Sequence, residues 1–216
     1  ARSSEARQAL ARLAGRIDPI VAADNPVTVA AVSQAARAAG RTLPIVIECD
    51  TGRKRAGVET PAEAFALMEA IKAAGNLDFA GFLLYPPENG VEPTQAFLDE
   101  VSAAARSLGL SPRIVSTGGT PNLMNLGKLK GATEHRFGTY IYNDRMQVAA
   151  GVADWDDCAL HIYSTVVSRA APERGILDAG SKTLTSDTGG LEGHGLILEH
   201  PEAKIARFAE EHGFLD

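Results

Sequence analysis

The chain has 216 residues, 21 Lys and Arg against 27 Asp and Glu, a formal charge of −6, and 45% hydrophobic residues. This is globular composition and excludes a disordered chain; the acidic balance, with no basic run longer than Arg53-Lys54-Arg55, argues against a nucleic-acid surface. No apolar run is long enough to span a bilayer, and no signal-peptide pattern opens the chain.

Ala6, Leu10 and Leu13 form a helical stripe at the start. Ile20-Val21-Ala22-Ala23 reads as a first strand. Asn25-Pro26 then caps a helix carrying Val29, Val32 and Ala36, which stops at Gly40. Pro44 to Ile47 is a second strand. Thr60-Pro61-Ala62-Glu63 is a capping box, and Phe65, Met68 and Ile71 predict the buried stripe of the helix that ends at Gly75. Phe79 to Tyr85 reads as a third strand, followed by a helix with Phe97, Val101 and Leu108 on one face and a stop at Gly109. Arg113 to Ser116 is a fourth strand, Gly118-Gly119 leads into a short helix, and Phe137 to Tyr142 reads as a fifth strand. Near-continuous apolar strands joined by helices mean a covered parallel sheet. Two architectures fit: an open doubly wound sheet, or the last five βα units of an eight-fold barrel of about 250 residues.

The texture changes near Gly151, which predicts domains at 1–150 and 151–216. His161 to Ser168 and Gly175 to Ser186 read as antiparallel strands of a β-rich second domain. Pro201 to His212 reads as a capped amphipathic helix with Ile205 and Phe208 inward. Cys49 and Cys158 are too few and too far apart for a disulfide framework or a CxxC zinc site. A reducing, cytoplasmic setting is expected.

Three places join polar residues to predicted strand ends, where barrels and open α/β sheets carry their sites. The first runs from Glu48 to Val58. Alternation puts Glu48 and Asp50 on one side of the strand and Cys49 on the other. Inward carboxylates need a cation, and Arg55 is the nearest; a structural ion-pair network is the simpler alternative. The second is Ser116-Thr117-Gly118-Gly119-Thr120, whose N–H groups and hydroxyls suit a phosphate, or a plain tight turn. The third is His135-Arg136-Phe137-Gly138-Thr139-Tyr140, on the last of the strands. The five histidines show no metal-ligand spacing and read as packing or surface residues.

Asp50-Thr51-Gly52-Arg53-Lys54-Arg55-Ala56-Gly57-Val58 resembles the DTGxxRxGV motif of the fold-type III pyridoxal-phosphate enzymes. Arg136 to Asp144 and Leu177-Asp178-Ala179-Gly180-Ser181-Lys182 resemble the D-threonine aldolase and D-serine dehydratase branch, as does Glu211-His212-Gly213. The resemblance implies a partial (β/α)8 TIM barrel, its last five βα units followed by the start of a β-rich domain. It implies pyridoxal 5'-phosphate held by Ser116, Thr117, Gly118, Gly119, Arg136, Gly138, Thr139 and Tyr140. Arg136 would face the pyridine nitrogen. Tyr85 would lie against the ring. Arg55 would sit near the substrate carboxylate, with Glu48 orienting it.

Two features depart from that family. The Schiff-base lysine belongs to the family's first barrel strand, and none of the six lysines here falls on such a strand. The branch's metal pair, His-x-Cys or His-x-Asp, belongs downstream of Asp216. The expectation is an internal segment of a longer enzyme, with a beginning lost before Ala1, a divalent metal in the parent only, and little activity in the segment alone. The implied activity is a lyase acting on small D-amino acids, an aldolase or a dehydratase. A racemase and a non-catalytic cofactor carrier are the alternatives. No nucleic-acid or membrane partner is expected, and a homodimer of the full-length protein stays open.

Overall fold

The computed structural model describes residues 3–125 and 127–216. They form two compact units, Ala1–Gly138 and Thr139–Asp216. The division falls at the end of the last parallel strand, earlier than the change of texture near Gly151.

In the first unit, α1 (Ser4–Ala14) precedes β1 (Val21–Ala23), α2 (Pro26–Ala39), β2 (Leu43–Cys49), α3 (Pro61–Ala74), β3 (Leu77–Leu84), α4 (Val91–Ser107), β4 (Ile114–Gly118) and β5 (Glu134–Arg136). The caps form where the sequence places them. Asn25 accepts from the Thr28 N–H. Thr60 and Glu63 close a reciprocal capping box. Gly40 and Gly75 end their helices in the left-handed conformation.

The five strands are parallel and lie in the order β1-β2-β3-β4-β5. A doubly wound sheet reverses its strand order at a switch point. Here every strand lies next to its successor, and α1, α2, α3 and α4 pack in the same succession. This is singly wound progression, the arc of a barrel wall. Ile45, Ile47, Cys49, Phe82, Leu84 and Val115 point to the helices and form one core with Val32, Met68, Ile71 and Val101. Phe79 meets Phe82 edge to face at 5.3 Å, an arrangement worth about 1 kcal/mol beyond area burial. Gly81 is required for the pairing of β3 with β4: its φ is +143°, and a β-carbon there would lie 1.8 Å from the Ile114 carbonyl oxygen.

The fifth strand differs from its expected position. It is Glu134–Arg136, and Thr139–Ile141 is a 3-10 turn rather than strand. Gly119 N–H and Thr133 N–H bond across to Arg136 O and Val115 O, which fixes pairing before Phe137.

The second unit holds α5 (Arg145–Ala149), β6 (Val166–Ala171), β7 (Arg174–Leu177), α6 (Ser181–Leu184), β8 (Ile205–Phe208) and β9 (Gly213–Leu215). Its sheet is antiparallel, in the order β6-β7-β9-β8. The helix expected over Pro201 to His212 is absent. Ile205 to Phe208 is strand, and Ala209 N–H bonds His212 O to turn the β8–β9 hairpin. Gly213, expected as a helix stop, is a strand residue whose β-carbon would lie 2.9 Å from the Ala179 carbonyl oxygen. Non-local pairing overrides a short helical pattern here. Among the described residues, no helix is long and apolar enough to cross a membrane.

Candidate active site

Parallel register decides which side chains share the face opposite the helices. Glu48 pairs with Leu83, Leu83 with Ser116, and Ser116 with Glu134. Two residues on, at the carboxyl ends, come Asp50, Tyr85, Gly118 and Arg136. The strands therefore gather these groups at one edge of the arc.

The segment after β2 is a closed loop. Asp50 N–H bonds Val58 O, and Val58 N–H bonds Glu48 O. The buried Asp50 carboxylate accepts from Gly52 N–H at 2.8 Å and Arg55 N–H at 3.0 Å. A β-carbon on Gly57 would lie 2.6 Å from Asp50 N, so only glycine lets the loop return to its strand. The loop delivers Arg55 to Glu48, with nitrogen and oxygen 4.0 Å apart, within the expected reach. Cys49 points the other way into the core, where burial first, and then Glu48, push its thiol well above the ordinary range.

Tyr85 stands at the centre. The Arg55 and Arg53 guanidiniums lie 4.5 and 4.6 Å from its ring centroid, within cation–π reach. Arg53 also bonds Glu88 at 2.5 Å and the Pro86 carbonyl at 3.3 Å. Asn122 donates to the same Pro86 carbonyl at 2.7 Å, and Asn125 to the Glu88 carbonyl at 3.1 Å. The segment after β3 is thus held from both neighbouring loops. The glycine pair lies against the ring: β-carbons on Gly118 and Gly119 would come within 3.2 and 2.9 Å of Tyr85.

The two hydroxyls of β4 face opposite ways. Ser116, 1% exposed, donates to Glu134 Oε1 at 2.5 Å and accepts from Arg136 Nη1. Arg136 Nη2 donates to the Leu84 carbonyl at 3.1 Å. Partial loss of hydration lowers the Arg136 pKa from its ordinary value, while Glu134 and Glu48 pull the other way. Thr117 turns to the helix side and meets His135 Nδ1 at 2.7 Å, whose Nε2 lies 3.1 Å from the Gly119 carbonyl. That carbonyl accepts only if Nε2 carries hydrogen, so in neutral His135 the Thr117 hydroxyl is the donor to Nδ1.

One open cleft of about 390 Å³ is lined by Arg55, Tyr85, Gly118, His135, Arg136, Phe137 and Gly138. The Gly118 and Gly138 loops do converge there. Glu48 reaches it through Arg55, and Ser116 through Arg136. The Thr117 side chain points away from it, and the Gly119 N–H is already bonded to Arg136 O. Thr139 and Tyr140 begin the second unit. Glu134, Arg53 and Asn122 were not expected in this network. Glu134 had a signal, its two-residue spacing from Arg136 on one strand; the other two contacts are non-local. None of the six lysines lies on a strand of the parallel sheet. Among the described residues there is no cluster of three His, Cys, Asp or Glu able to hold a metal.

Two guanidiniums, an aromatic ring and two glycines facing one cleft suit a flat, anionic aromatic ligand. Residues 2–146 match the model of the alanine racemase N-terminal domain. The chain belongs to that family. Residues 159–216 match a serine dehydratase domain. The chain is similar to the 3-hydroxy-D-aspartate aldolase of Paracoccus denitrificans, strain Pd 1222, at 30% identity over 91% of this chain and 54% of that protein. It is similar to the D-threonine aldolase of an Arthrobacter species at 28% identity, over 89% of this chain and 53% of that one. Among solved structures, the D-threo-3-hydroxyaspartate dehydratase of Delftia sp. HT23 superposes with a TM-score of 0.83 at 25% identity, covering 98% of this chain and 62% of that one. The chain spans about half the length of the curated relatives it matches.

Proposed function

We propose that this chain carries the cofactor-facing part of a pyridoxal-phosphate-dependent lyase acting on small D-amino acids with a hydroxyl at Cβ. The observation that supports it most is the single cleft shared by Arg55, Tyr85, Arg136, Gly118 and Gly138. The names of the three relatives share one chemistry: threonine and both 3-hydroxyaspartates carry a β-hydroxyl.

Gly118 and Gly138 would hold the cofactor phosphate between them. Tyr85 would lie against the pyridine ring, and Arg136 would face its nitrogen. The bound cofactor supplies an electron sink for the bond broken at Cα. Arg55, held by Glu48 and by the Tyr85 face, would orient the substrate carboxylate so that the reacting bond is presented in one geometry. Glu48, 4.0 Å away, would draw that guanidinium toward the strand ends. A divalent metal belongs to the same proposal for the whole protein; a variant of a D-threo-3-hydroxyaspartate dehydratase has been solved in a metal-free form. Both cysteines are free, which supports a reducing, cytoplasmic setting.

The test supplies the whole protein with pyridoxal phosphate and a divalent cation. D-threonine, D-serine, D-threo-3-hydroxyaspartate and their L-enantiomers are the substrates. Aldehyde with glycine marks an aldolase; a 2-oxo acid with ammonia marks a dehydratase. Turnover of the D-series by either route supports the proposal. Racemisation without lysis, or equal turnover of the L-series, overturns it.

A further inference from the structure

Arg136 is fixed in an unusual way. Among the described residues, no carboxylate oxygen lies within 4.0 Å of its guanidinium, although Glu134 sits on the same strand and the same face. The link runs through Ser116. A serine hydroxyl has one proton to give. Here Glu134 Oε1 takes it at 2.5 Å, so the oxygen's lone pairs are left to accept from Arg136 Nη1. With the Leu84 carbonyl taking Nη2 at 3.1 Å, two guanidinium nitrogens are tied to the sheet while the group still lines the cleft. A direct ion pair would spend the arginine's bidentate edge on the carboxylate. The intervening hydroxyl takes one N–H of Nη1 in place of a bidentate carboxylate contact and keeps a carboxylate close enough to attract the charge.

We propose that Glu134 is a positioning residue that orients Arg136 toward the cleft through the Ser116 hydroxyl. Ser116 then serves as a relay between carboxylate and guanidinium, and the phosphate is left to the glycine loops. This rests on the reading that the cleft takes pyridoxal phosphate, and it adds a residue with a defined direction of action. Glu134 matters only while Ser116 is present. His135 and Thr117 take no part, because their bonds lie on the opposite face of the strands.

The experiment is a double-variant cycle on the whole protein, with two readouts. The first is independent of the cofactor: crystal structures of S116A and E134A. In both, Arg136 should leave the Leu84 carbonyl or lose a single conformation. The second is the apparent dissociation constant for pyridoxal phosphate, read by absorbance titration. S116A and E134A should each weaken binding about tenfold, the size expected for a charge-assisted hydrogen bond. The double variant should be no weaker than S116A alone. S116T, which restores the hydroxyl, should recover both readouts; a merely space-filling serine would be hurt further by the added methyl group. Effects that multiply to about a hundredfold in the double variant, or an Arg136 unmoved in both crystals, would overturn the relay. If the wild type takes up no pyridoxal phosphate, the functional reading fails while the crystal structures still judge the relay.

Discussion

Tyr85 lies so close to Gly119 that a β-carbon on that glycine would come within 2.9 Å of the ring. Consecutive glycines after a strand are easily read as a phosphate cradle alone. Here the same pair also makes the space in which an aromatic ring stands, and two arginines flank that ring. The glycine loop and the arginine loop are therefore coupled through one side chain.

Gly119→Ala should disturb both. The residue has φ +106°, a conformation costing an alanine about 1–3 kcal/mol. The methyl group would also push Tyr85 away from the cleft. Thermal melts should show the loss of stability, and pyridoxal-phosphate titration a loss of affinity of about tenfold or more. Y85A combined with G119A should recover part of the stability, because only the clash is relieved. An unchanged affinity in G119A would separate the ring from the cofactor site.

Gly57→Ala tests the arginine loop. Its methyl group would meet backbone at 2.6 Å from Asp50 N and 2.7 Å from Cys49 C, and backbone cannot step aside as a flexible side chain can. A loss of about 3 kcal/mol is expected in urea unfolding. Wild-type stability in this variant would contradict the closed loop.

The capping box of α3 gives a pH dependence. The Thr60 hydroxyl first, and then the N–H groups of Glu59 and Thr60, hold the Glu63 carboxyl below its ordinary value of 4.5. A carboxylate whose folded pKa is lowered stabilises the fold fully above the unfolded value. That contribution fades as pH falls through the folded value. The urea midpoint should therefore fall between pH 6 and pH 3, and E63Q should fall less steeply over the same range. Parallel curves for the two proteins would show that the box carries no charge-dependent stability.

Much of the first unit is legible in sequence because its signals are local. Asn25, Thr60, Gly40 and Gly75 announce caps that depend on neighbours three or four residues away. The strands are apolar runs because their alternate residues pack into the core under the helices. The pairing of Glu48 with Arg55 is legible for the same reason, since one loop joins them. What escapes is set by distant partners. Ile205 and Phe208 fit a helix stripe as well as a strand, and only β9 decides for the strand. Gly-Thr-Tyr-Ile-Tyr reads as strand by composition, yet pairing ends at Arg136. Glu134 escapes for the same reason, since its bond partner Ser116 lies opposite it only in register. The strand order, which separates an arc of a barrel from a doubly wound sheet, is likewise absent from any one segment.

The cleft at the ends of β3, β4 and β5 is proposed to receive pyridoxal phosphate. A crystal structure of the whole protein grown with that cofactor tests it most directly. Its phosphate is expected between the Gly118 and Gly138 loops, its ring against Tyr85 and its nitrogen toward Arg136. A cofactor bound elsewhere, or in this cleft with its phosphate on Arg55 and its ring away from Tyr85, would contradict it.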